Sequence, residues 1–194
     1  GSGRLLQRMD RAGFTRLTGL DERLPGSLEE GAGPRPIRLS FEAYEGHHHL
    51  VMAHHSFEHV RDPRAAFAAF ARLVEPGGWL LLRTPRADGE PRSRYGAHWV
   101  QLDAPRHLHL HTRASIETLA HASGFRLVAV EDDSGPFQVW GSELYRRDVA
   151  LSEAGRSGRR IFGVWTRLGF RWQARVWRRA GRGDQACFYL QRDP

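Results

Sequence analysis

Two unbroken apolar runs with one amphipathic helix between them constrain this chain most. Leu50, Val51 and Met52 follow one another inside His49 to Ala53, and Trp79 to Leu82 is a second such run. Short runs without alternation are what strands buried on both faces require, so each reads as an interior strand. Between them Asp62 stands as N-cap before Pro63, and Phe67, Phe70, Ala71 and Val74 share one face of a helix from Pro63 to Val74. Glu75-Pro76-Gly77-Gly78 then turns the chain into the second strand. Strand, helix and strand in so short a span imply a parallel pair joined by a helical crossover.

The alternation continues. A short helix is expected at Leu5 to Ala12, a strand at Arg16 to Leu20, loop at Leu24 to Pro36 and a weaker strand at Ile37 to Phe41. Residues 86 to 112 show no regular pattern but many polar side chains, the kind of excursion that carries function. Thr112 caps a helix through Ala122, Phe125 to Val130 and Ala186 to Leu190 read as strands, and 142 to 182 as mainly helical. The predicted fold class is α/β, a doubly wound and Rossmann-like sheet in one domain over 1–194, with 142–182 a basic helical insertion before the last strand.

Composition removes several classes. An apolar share of 40% with 26% charged residues excludes wholesale disorder, and no window approaches eighteen uninterrupted apolar residues. The single cysteine, Cys187, cannot form an internal disulfide, which points to a reducing cytoplasm. All 29 basic residues are arginine. Residues 146 to 182 hold eleven of them against Asp148 and Glu153, so this segment carries +9 of the chain's +7 and the rest nets −2. A basic element thus sits on a near-neutral domain, and no nucleic-acid module accompanies it.

Gly1-Ser2-Gly3 ahead of a helix, with Asp21 ending the next strand, is the spacing by which α/β proteins bring a nucleotide to a helix start and hold its ribose hydroxyls on a carboxylate. The ordered series Glu58-His59-Val60, Asp62-Pro63, Leu73 to Gly78 and Thr84-Pro85 resembles class I S-adenosylmethionine-dependent methyltransferases. Trp99, Asp103 to His107, and Ala122 to Phe125 are similar to their small-molecule branch, which acts on quinones, sugars and natural products. That resemblance implies strand order 3-2-1-4-5-7-6 with strand 7 antiparallel, and an N-terminally truncated chain whose first strand is missing and whose own activity is compromised. His49 departs from the aspartate usual at that strand. Carried over residue by residue, S-adenosyl-L-methionine would be held by Gly1 and Gly3 at its methionine part, Asp21 flanked by Glu22 at the ribose, Phe41 and Glu42 at adenine, and His54 and His55 at the strand end.

Methyl transfer mainly needs alignment in a water-poor pocket, with a base where the acceptor carries a proton. His107 is the first candidate base and His59 the second, while Glu58 with His59 is expected to hold the strand-to-helix turn. Residues 93 to 111 and a helix from Ile161 are expected to form the acceptor pocket, with Tyr95 and Trp99 reaching inward. His107, His109 and His111 alternate as metal ligands can, but Leu108 and Leu110 between them mark an ordinary extended piece, so no metal is expected. Ile161, Trp165, Leu168, Trp172 and Val176 follow helical spacing, with Arg160, Arg167, Arg171, Arg175 and Arg178 on another face. Either the helix packs its apolar row on the domain, or residues 161–179 make a peripheral membrane contact suited to a quinone or lipid-linked substrate. The expected function is methyl transfer to an O, N or C atom of a small molecule. The competing class is a non-catalytic module that keeps the fold for binding, and the oligomeric state is left open.

Overall fold

Pro63 starts a helix where the sequence places one, and the sheet is built around it. The computed structural model describes residues 3–24, 34–155 and 158–194. Gly1, Ser2 and most of the loop expected at 24–36 lie outside them. The chain divides into two compact units, residues 1–46 and 47–194.

In the first unit, α1 (Arg4–Arg11) follows Gly3, whose φ of 72° is a left-handed conformation that glycine takes without steric cost. The strands expected at 16–20 and 37–41 reduce to one isolated parallel bridge, Leu20 to Ile37. Two backbone bonds hold it, from Asp21 N–H to the Ile37 carbonyl (3.0 Å) and from Ile37 N–H to the Gly19 carbonyl (2.7 Å). A ladder extends only where both strands keep pairing, and here neither does beyond that point.

The second unit holds β1 (His48–His54), α2 (Pro63–Leu73), β2 (Val74–Pro85), α3 (Glu90–Tyr95), α4 (Arg113–His121), β3 (Phe125–Asp132), α5 (Pro136–Tyr145), α6 (Val164–Arg179) and β4 (Gln185–Arg192). Sheet order is β1-β2-β4-β3. β1 and β2 are parallel, while β4 runs antiparallel to both β2 and β3. Among the described residues the order expected from the resemblance is present as a sheet only in its 4-5-7-6 part. The expected turn at 75–78 lies inside β2, where the register with β1 slips between the His48 and Leu50 pairings.

Asp62 caps α2 by accepting from the N–H groups of Arg64 (2.9 Å) and Ala65 (3.2 Å). Its apolar face buries Ala66, Phe67, Phe70 and Leu73, and Phe67 meets Phe57, Phe70 and Phe125 edge to face. Thr112 and Ser115 cap α4 reciprocally. Two expectations change. The stretch 86–112 contains α3 and two 3-10 turns, at Gly96–His98 and Val100–Leu102. Among the described residues of 142–182 the α-helical ones are the end of α5 and α6, and between them Ala154 and Phe162 pack with Leu144 in a small core of their own.

Candidate active site

Parallel strands present their carboxyl ends on one edge, and polar side chains gather there. Ala53 is buried at the end of β1, and His54 and His55 follow it. His55 has φ 48°, a left-handed conformation that costs a non-glycine residue of order 1 kcal/mol and persists where the surroundings fix it. Three bonds do so. Its N–H donates to the Arg83 carbonyl (2.9 Å), and its Nε2 accepts from Arg83 Nη1 (2.6 Å). With Nε2 accepting, Nδ1 carries the hydrogen and donates to Glu58 Oε1 (3.3 Å).

Arg83 extends the chain of bonds by pairing through Nε with Asp133, just past β3, and Gln185 donates to the same carboxylate (2.9 Å). Thr84 donates to Glu58 Oε2 (3.1 Å). A single directional network thus runs from β1 through β2 to the loop after β3. Burial alone would raise the Glu58 carboxyl, but the bonds from His55 and Thr84 outweigh it and hold the group below its ordinary value. His54 is also held below its ordinary value, first by desolvation and then by the Arg83 guanidinium, which favours the neutral ring. Arg83, Asp133, Phe137, Gln138, Trp140 and Gln185 line a groove of about 350 Å³. Arg83 and Asp133 were not among the sequence candidates; the signal was an arginine in an otherwise apolar strand run.

The His107 side chain is almost wholly buried on the next loop. Its Nδ1 donates to the Gln101 carbonyl (2.7 Å), which leaves Nε2 as the basic nitrogen. Nε2 stands 3.6 Å from Asp103 Oδ2 and 3.9 Å from Glu58 Oε1. His59 is arranged alike, its Nδ1 donating to the Arg106 carbonyl (2.7 Å), and the two rings lie 4.9 Å apart. The Glu58 carbonyl accepts from the Leu108 N–H (2.9 Å), so the turn at 57–59 and the loop at 103–109 are tied together. Among the described residues, Glu58, His59 and His107 each offer a ligand atom within 4.8 Å of the others, a set able to take a metal ion. The alternating trio separates instead: His109 contacts the Arg61 carbonyl (3.2 Å), and His111 stacks on Phe57 with centroids 4.5 Å apart.

Tyr95 and Trp99 reach inward, but into the protein core. They pack with Val139, Ala174 and Trp177, Trp99 being 1% exposed. Their polar atoms are used there, the Tyr95 hydroxyl donating to Glu143 (3.2 Å) and the Trp99 indole to Asp184 (2.6 Å). An aromatic core that joins α3, α5 and α6 takes up these two side chains. Ile161 lies in the turn ahead of α6, exposed and outside that core.

In the first unit, the Asp21 carboxylate accepts from the Arg23 N–H (2.8 Å) directly beyond the Leu20–Ile37 bridge. Exposed Glu22 pairs with Arg23 (3.7 Å). Phe41 and Glu42 follow the Ile37 side of that bridge and make contacts of their own. The left-handed glycine before α1 and the acceptor-only carboxylates suit a ligand with ribose hydroxyl donors. Gly1 lies outside the described residues.

The family described as a methyltransferase domain matches residues 1–130. No curated protein matches the sequence. Among solved structures the chain is similar to the [4+2]-cyclase SpnF, with 15% identity, TM-score 0.62, and 100% of this chain and 72% of that one covered. A cyclopropane synthase from Mycobacterium tuberculosis shares 20% identity with TM-score 0.60, covering 99% of this chain and 75% of that one. An S-adenosylmethionine-dependent methyltransferase from Mesorhizobium loti shares 13% with TM-score 0.59, covering 99% and 87%. The chain spans 57% of the length of a further methyltransferase chain, from Galdieria sulphuraria. A mycolic acid cyclopropane synthase that it resembles at 19% identity and TM-score 0.59, over 99% of this chain and 75% of that one, was solved with SAH. These low identities carry a Rossmann-like fold, and the match over most of the sequence carries the family: the chain belongs to the methyltransferase domain family.

Proposed function

We propose that the protein methylates a hydroxyl or an acidic carbon of a small molecule, with His107 as the general base. One observation carries the reading: the Gln101 carbonyl fixes the His107 ring by its Nδ1 hydrogen and leaves Nε2 bare beside the carboxylates of Asp103 and Glu58. A ring oriented in this way needs no rearrangement to accept a proton. His59, with the same ring orientation, is the second candidate.

When bound, S-adenosylmethionine supplies an electrophilic methyl group on a sulfonium. In the first unit Gly3, Asp21, Glu22, Phe41 and Glu42 are the residues that would hold it, and in the second unit His54 and His55 are the candidates. His107 Nε2 would take the proton that the acceptor sheds as it is methylated. The His55–Arg83–Asp133 network ties the carboxyl edge together, and Phe137 and Trp140 line the groove beside it.

His107→Gln tests this reading, because glutamine retains a donor for the Gln101 carbonyl and loses the base. Turnover should fall about 100-fold or more. S-adenosylmethionine affinity, measured by calorimetry, should stay within about twofold of the parent, since His107 is placed on the acceptor side. Undiminished turnover removes the base role, and a matched loss of cofactor affinity makes the residue a support of the fold.

A further inference from the structure

Helix α6 carries two apolar rows, and the structure buries only one. Phe170, Ala174 and Trp177 face the core beneath α6. Of the row read from the sequence, Trp165 (86% exposed), Leu168 (45%) and Trp172 (66%) point the other way, Ile161 (41%) lies ahead of the helix and Val176 is partly buried; Val164, which that row did not include, is 59% exposed. Exposed Arg171, Arg175, Arg178 and Arg179 stand beside this row. Between Glu153 and Asp184 the sequence has nine arginines and no acidic residue.

We propose that α6 lays its Val164, Trp165, Leu168 and Trp172 face into the headgroup region of an anionic phospholipid bilayer and holds the protein at that surface. An indole has an apolar body and one N–H donor, a pairing that suits the boundary between acyl chains and water, and tryptophan exposed to bulk water gains by moving there. Arginine stems lie along apolar surface while their guanidinium groups reach lipid phosphates. Charge complementarity selects the occupant: a second copy on this face would bring two arginine-rich stretches together, and a nucleic acid backbone would leave Val164 and Leu168 in water. Among the described residues no helix is long and apolar enough to cross a membrane, so the contact is peripheral. The inference does not depend on the methyl acceptor or on His107.

The test is co-sedimentation of the full chain with vesicles of phosphatidylcholine alone, and with a third of it replaced by phosphatidylglycerol. Binding to the anionic vesicles should exceed that to the neutral ones by about tenfold or more and weaken with added salt. Trp165→Ser with Trp172→Ser should lower it about tenfold, with an unchanged circular dichroism melt because both side chains are exposed. Brominated lipid should quench the tryptophan emission of the parent and spare that of the double variant. Equal binding to both vesicle types, or undiminished binding by the double variant, overturns the proposal. So does a drop in mass by light scattering in the double variant, which would seat a second copy on this face, or loss of single-stranded RNA binding by that variant without loss of vesicle binding.

Discussion

Helices α2 and α6 each present large apolar side chains at helical spacing, and the regions beneath them differ in kind. Under α2 lies a dry cluster of rings, with Phe57, Phe67 and Phe125 almost wholly buried and His111 stacked among them. Under α6 the core is amphipathic, for Tyr95 and Trp99 bring polar atoms that Glu143 and Asp184 satisfy. α2 has one apolar row and buries it. α6 has two, Phe170/Ala174/Trp177 and Trp165/Leu168/Trp172, and both obey the helical period. Periodicity therefore identifies a helix without choosing the face that packs, and the arginines beside the second row of α6 were the sequence signal that it stays outside.

The largest effect should separate these faces directly. Phe67→Ala removes a fully buried ring in edge contact with three others, and should cost about 3–5 kcal/mol. Trp172→Ala removes a larger ring from a mostly exposed position and should change stability by no more than about 0.5 kcal/mol. Urea unfolding of both variants reads the difference. A comparable loss in the two would mean that the outer row of α6 is packed after all.

What could be read in advance follows the range of the interaction concerned. The N-cap Asp62, Pro63 and the contiguous runs in β1 and β2 act within a few residues, and these elements appear close to where the sequence places them. Arg16 to Leu20 and Ile37 to Phe41 have apolar content too, but a strand exists only through a partner, and a single bridge joins them. At the site, the His107 loop was legible from its residue types. Arg83 and Asp133 were not, because fifty residues separate them and the β2–β4–β3 registers bring them together. Tyr95 and Trp99 misled for a related reason, since an aromatic ring in an irregular stretch is equally suited to a pocket and to a core.

The two regions should also respond to pH with opposite sign. On the α6 side, burial pushes Asp184 up to about 7 from an ordinary 3.8, even with the Trp99 indole donating to it. Across that interval the folded carboxyl keeps a proton that the unfolded one releases, so its contribution is complete below about pH 4 and is lost as pH rises toward 7. The loss is of order 4 kcal/mol. Asp184→Asn stays neutral and keeps an acceptor for the indole, so its unfolding free energy should not show this loss. Asp132, also raised by burial, leaves a smaller slope of the same sign. If the variant and the parent follow parallel profiles from pH 4 to 7, the assignment to Asp184 is wrong.

On the α2 side the slope reverses and is smaller. Burial first, then the neighbouring His109, lowers His111 from 6.5 to about 4, and its Nε2 is enclosed without a hydrogen-bond partner. As pH falls below 6.5 the unfolded imidazole takes a proton that the folded one refuses until about 4, so stability of order 3 kcal/mol is lost on acidification. In the parent, between pH 4.5 and 6.5, this loss offsets the gain from Asp184, and the stability profile should be nearly flat. His111→Phe preserves a ring to stack on Phe57 and removes the titration. Its stability should rise as pH falls through that window, whereas that of Asp184→Asn should fall, and the two profiles should cross. Urea midpoints at half-unit pH steps would show it. A flat profile in both variants would mean that neither buried group governs the acid response of its region.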